Sequence, residues 1–69
     1  MKWILIQVIN QDIDQPDVFD TREDAVAEME RRYYSVLEEE DEYARIYVNS
    51  AEIKKKRHDI SWSVCGINV

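Results

Sequence analysis

One glycine, one proline and one cysteine are all that this 69-residue chain holds of the residues that punctuate or staple a fold. A single cysteine excludes an internal disulfide framework and a cysteine-based zinc site. A single glycine excludes the glycine-rich loops that let a backbone approach phosphate. Long hydrophobic runs are missing too. The longest, Trp3 to Ile9, is interrupted by Gln7 and falls far short of the ~20 residues that span a bilayer. With no small-residue cleavage site behind it, Lys2 followed by that run does not read as a secretory signal, and the cytoplasm is the expected location. A lone Cys65 suits that reducing compartment. Bases are the last shortage: nine against fifteen acids leave a formal net charge of −6, which argues against direct contact with nucleic acid.

What is present fits one small globular domain spanning residues 1–69. A hydrophobic content of 45% is too high for a disordered acidic tail. A chain this short buries only about 60% of the surface its unfolded state exposes, so tight packing or a partner is expected.

The opening run is rich in β-branched residues and reads as a strand. Ile4, Ile6 and Val8 alternate with Trp3, Leu5, Gln7 and Ile9, so both faces are mostly apolar and the strand is expected to be central or covered twice. Pro16 forbids a regular central strand, although Val18 and Phe19 suit a short edge segment pairing back on the first strand. Thr21-Arg22-Glu23-Asp24 then has the form of a capping box, with Asp20 and Glu23 as an alternative register. Val26, Met29, Tyr33, Val36 and Leu37 recur at three- and four-residue spacing and predict an amphipathic helix over about 21–40. A second strand is expected over Arg45–Asn49, extending toward Ile53, and a third from His58 to Val69. Gly66 suggests a bulge in the third.

This order predicts an α+β fold of β-α-β-β type, with one helix packed on a three-stranded, mainly antiparallel sheet. The second sheet face is then left uncovered, holding Trp3, Leu5 and Tyr47, and a homodimer through it is expected.

Charge is segregated. From Asp12 to Glu42 the chain carries thirteen acids against three bases, while the rest carries six bases against two acids. Such an acidic surface is attracted to basic grooves and repels phosphates. Candidate partner-binding residues are Glu28, Glu30 and the run Glu38, Glu39, Glu40, Asp41 and Glu42, with Tyr34 and Tyr43 off the helix stripe as aromatic anchors. The same charges also serve as a solvated helix face that keeps a small protein soluble. Five acids at a helix carboxyl end oppose the macrodipole, where stability alone favours Lys or Arg. Lys54-Lys55-Lys56-Arg57 reads as a turn guarding a sheet edge rather than a nucleic-acid patch.

Patterns that carry chemistry are few. Asp12, Asp14, Asp20 and Glu23 fall at positions 1, 3, 9 and 12 of an EF-hand count. However, Pro16 stands where a ligand is wanted, and Asp17 where the loop needs glycine. A structural homodimer domain, or a small ion- or ligand-binding module built on the Asp12–Asp20 loop, is the alternative reading. His58 and Cys65 lie an odd seven residues apart on one strand, hence on opposite faces. No cofactor, metal or catalytic residue is assigned, and the chain is not expected to be an enzyme.

The segment Val18-Phe19-Asp20-Thr21-Arg22-Glu23-Asp24-Ala25-Val26-Ala27-Glu28-Met29, following a short strand that opens with Lys2-Trp3, resembles a layout recurrent in very short proteins of phages and mobile elements of Gram-positive gut bacteria. The resemblance spans residues 1–30 and is to proteins mostly without an assigned function. Some are anti-defence inhibitors, anti-CRISPR proteins among them, and several of these mimic nucleic acid. It implies an inhibitor that engages a basic, nucleic-acid-binding surface of another protein.

Overall fold

The computed structural model describes residues 1–68. Its strands are β1 (Lys2–Ile9), β2 (Asp12–Ile13), β3 (Asp17–Phe19), β4 (Tyr43–Ile46), β5 (Ser50–Lys54) and β6 (Asp59–Ile67), with one helix, α1 (Arg22–Val36), between β3 and β4. All pairings are antiparallel, in the order β2-β1-β6-β5-β4, and β3 pairs the same edge of β1 as β2. The α+β class stands, but the expected three-stranded sheet is corrected to six strands.

Two turns without glycine or proline, and the break at Pro16, account for the difference. Asn10 and Gln11 both take positive φ, 52° and 72°, which makes a two-residue hairpin turn of the kind whose twist matches its strands. Pro16 interrupts the returning strand, so it pairs with β1 in two pieces, Val8 opposite Ile13 and Ile4 opposite Val18. The expected second strand is a hairpin. Tyr47, Val48 and Asn49 reverse the chain, and the Tyr47 N–H donates to the Ser50 carbonyl at 2.7 Å. β6 pairs β1 along the whole length of β1, from Lys2 opposite Ile67 to Ile9 opposite Ile60. Val69, assigned above to the third strand, lies outside the described residues.

The cap forms as its residues demand: the Thr21 hydroxyl accepts from the Asp24 N–H at 3.1 Å. The helix then buries Ala25, Met29 and Tyr33, with Val26 and Val36 partly buried beside them. It stops at Val36, four residues short of the expected end. Leu37 is extended, although its N–H still reaches the Tyr33 carbonyl at 3.0 Å. The next N–H, of Glu38, is taken by the Asp41 carboxylate at 2.7 Å, a local competitor that ends the helical ladder.

Beneath the helix lie Leu5, Ala51, Ile53, Ile60, Trp62 and Val64, with Trp3, Ile9, Phe19, Ala44 and Ile46 at the margin. This corrects the assignment of faces on β1. Leu5 is 1% exposed under the helix and Trp3 packs against the same core, so neither belongs to the uncovered face. Gln7 shares that inner side for a specific reason: its Oε1 accepts the buried Trp62 indole N–H at 2.7 Å, and its Nε2 donates to Asp14 at 2.7 Å. Among the described residues no buried side-chain polar atom lacks a partner. Gly66 marks no bulge, since it stays in register opposite Trp3. A Cβ there would meet Cζ3 and Cη2 of the Trp3 ring at 3.2 and 3.3 Å, so the missing side chain makes room for the indole.

Candidate functional site

The molecule measures only 15 Å along its shortest axis, room for the sheet and one helix. Two kinds of surface remain: the outer sheet face, and the helix side with its loops.

On the outer face, strand alternation and register place Ile4, Ile6 and Val8 of β1 beside Cys65, Ser63 and Ser61 of β6, pair by pair. Val18 and Ile13 flank them at 62% and 70% exposure. Toward β4 the face turns polar: Arg45 stands opposite Glu52, and Lys54 lies between Tyr43 and Asp59. The Arg45 guanidinium lies 5.0 Å from the centre of the Tyr43 ring. Glu52 alongside, with some burial, pushes the Tyr43 hydroxyl up to about 12. Tyr47 stands at the rim, half exposed in the turn after β4, with its hydroxyl 3.5 Å from Arg45 Nη1. Of the three residues expected on the uncovered face, then, Tyr47 alone borders it. Ile4, Ile6 and Val8 occupy it instead.

On the helix side the acidic run is divided. Asp41 Oδ1 and Glu38 Oε1 receive Lys55 Nζ at 2.6 and 3.0 Å, and the Asp41 side chain is only 6% exposed. The Lys55 ammonium, with the Glu38 N–H, holds the Asp41 carboxyl below its usual range, and Asp41 in turn raises Lys55. The Glu42 N–H donates to the Lys54 carbonyl at 2.9 Å. Lys55 thus acts as a clamp from the β5–β6 turn rather than as an edge guard. Glu39, Glu40 and Glu42 are exposed and make no ion pair among the described residues.

Glu28 is also spent internally. It takes Arg31 through Nε and Nη2 at 2.9 and 2.5 Å, and Arg32 Nε at 2.7 Å. Arg32 continues to Asp17 at 2.6 Å, tying the helix to β3. The two guanidinium groups pull the Glu28 carboxyl down to about 2. Glu30 and Tyr34 are exposed, and with Arg22, Val26, Ile46, Tyr47 and Val48 they line a groove of about 500 Å³ between α1 and the end of β4. Glu30 and Tyr34 were expected together on a partner-binding surface and Tyr47 on the uncovered sheet face; the fold brings all three to one groove.

The loop aspartates diverge: Asp14 goes to Gln7, Asp17 to Arg32 and Asp20 to Lys2. Among the described residues no three His, Cys, Asp or Glu side chains sit as a metal-ligand group. No helix among them is long and apolar enough to cross a membrane. Comparison with known proteins finds no matching family model, no matching curated protein and no matching solved structure.

Proposed function

We propose that this chain is a small acidic protein-interaction module that works in the cytoplasm by contact rather than by chemistry. Its target is a basic, nucleic-acid-binding surface of another protein, which it blocks as an anti-defence inhibitor of the anti-CRISPR kind would. The observation that supports this is the division of labour in the loop after α1. Glu38 and Asp41 are consumed in building it, through Lys55 and the Glu38 N–H, while Glu39, Glu40 and Glu42 are left exposed. A loop held this way loses less freedom on binding than a floppy acidic tail. Glu30 and Tyr34 on the neighbouring helix extend the surface with one more carboxylate and an aromatic ring.

The test is capture from nuclease-treated lysate on immobilised protein, followed by elution with salt or a DNA duplex. Basic nucleic-acid-binding proteins should be retained, released by either eluent, and lost on Glu39→Lys, Glu40→Lys and Glu42→Lys together. Retention that ignores both the duplex and the triple reversal would refute the reading. The Asp12–Asp20 ion-binding alternative gains no support from carboxylates that point to three separate partners.

A further inference from the structure

We infer that the outer face of the sheet is a docking surface for a second copy of this chain, packed ridge into trough about a two-fold axis parallel to β1 and β6. The inference is independent of the acidic-loop reading and rests on a different surface.

The shape is self-complementary. Ile4, Ile6 and Val8 form a ridge on β1. The adjoining strand β6 carries small residues in the same three rows, Cys65, Ser63 and Ser61. A two-fold axis lying in the interface between these strands turns the second sheet over and exchanges the two positions. Each ridge then falls in the other copy's trough: Ile4 over Cys65, Ile6 over Ser63 and Val8 over Ser61. Strands kept nearly parallel in this way correspond to the aligned mode of sheet packing, about 10 Å between backbones. By the same operation the exposed Ile13 lies over the partner's Glu52, and Val18 over the turn that precedes β5.

Charge selects the same occupant. Two copies of a chain carrying −6 repel each other through most of their surface. The outer face is the exception, for its charges are matched within it. Arg45 is directly opposite Glu52, Lys54 is directly opposite Asp59, and Lys2 is bonded to Asp20. A neutral face with an apolar ridge is what a symmetric contact needs, because each group meets its own kind of surface.

The area sets the strength. Four overlapping strands at ~4.8 Å spacing and about six residues at ~3.3 Å rise give a flat footprint of roughly 400 Å² per copy. With corrugation the accessible area buried by both copies is on the order of 1,000 Å², at the lower limit for a specific interface. The dimer should accordingly depend on concentration.

Sedimentation velocity across a wide concentration series, at low and high salt, tests this. The expected result is a monomer–dimer equilibrium that shifts toward dimer as salt rises, since screening relieves repulsion while the apolar contact persists. Ile6→Lys should weaken it at least tenfold. Ser63→Arg, which fills the trough without touching the ridge, should do the same, so a folding defect in one variant does not spare the idea. Cys65 reports the geometry: its Cα atoms in the pair lie about 11 Å apart, too far for a disulfide but within reach of a short bis-maleimide. Cross-linking should therefore occur with the reagent and not by oxidation. A chain that stays monomeric at millimolar concentration in high salt overturns the inference. So does a dimer indifferent to both variants.

Discussion

The Glu28 network offers the sharpest test of how acidic residues are used in this molecule. Glu28 binds two arginines at once, and Arg32 carries the connection on to Asp17 of β3. Its carboxyl falls from 4.5 to about 2, chiefly through the hydrogen bonds from Arg31 and then Arg32. Taken at face value, a shift of that size corresponds to about 3.4 kcal/mol. Solvent reduces it heavily, because the Arg31 side chain is 68% exposed and surface pairs contribute only about 0.2–1 kcal/mol each. The half-buried Arg32 link, with both side chains under 25% exposed, supplies most of the remainder. A net contribution of about 1 kcal/mol is therefore expected, or roughly 4–8 °C in Tm for a domain of this size.

The sign with pH follows from the direction of the shift. A carboxyl depressed in the folded state stabilises fully above its unfolded pKa and ceases to do so as pH falls through the folded one. Thermal unfolding of wild type and Glu28→Gln should thus differ by the full amount at pH 7. The gap should narrow from about pH 4.5 downward and close near pH 2. It should also shrink in molar salt. Equal stability at pH 7 would show that the network holds nothing together, and a gap that persists unchanged in acid would show that the ionised carboxylate is not its source. Where the gap behaves as expected, Glu28 belongs to the architecture, and Glu28→Gln should leave capture of a basic partner intact.

Two further outcomes test the fold. Gln7→Leu strands the Trp62 indole N–H in the core and should cost about 1–3 kcal/mol, whereas adding Trp62→Phe should recover part of that loss. A double-mutant cycle by urea unfolding that shows simple additivity would rule out the bond's contribution. Gln11→Gly relieves a side chain held at φ 72° and should raise stability by about 0.5–1 kcal/mol, read as a higher urea midpoint at unchanged slope. A lower midpoint would mean that the turn does not strain Gln11.

Much of this architecture was legible because it is local. The cap at Thr21 and the alternation of Ile60, Trp62 and Val64 follow from neighbours within a few positions. The end of the helix was not legible, because Asp41 competes for the Glu38 N–H while held by Lys55, fourteen positions away. Nor was the strand count, since Asn10-Gln11 and Tyr47-Val48-Asn49 turn the chain without glycine or proline. The faces of β1 were assigned the wrong way because both are apolar, and alternation alone does not say which one a helix covers. Gln7 carried the missing information. A polar side chain amid apolar ones can face the core only if it has a partner there, and the donor that supplies this is Trp62. The acidic site was legible as composition, but its split into building and exposed carboxylates depended on where Lys55 lands.

The two proposed surfaces have consequences for each other. Sheets packed through their outer faces leave both helices, and both Glu39–Glu42 loops, turned away from the interface. A dimer would then present two acidic loops to a basic target and gain from binding both at once. The two contacts respond to salt in opposite directions, with self-association favoured and capture of a basic surface weakened. Retention on a basic surface dense enough to engage both loops should therefore peak at intermediate ionic strength. Ile6→Lys should remove that peak while leaving one-to-one binding in solution unchanged, because Ile6 lies on the sheet face opposite the helix. If retention falls monotonically with salt for wild type and variant alike, the loops act singly and dimerisation has no part in capture.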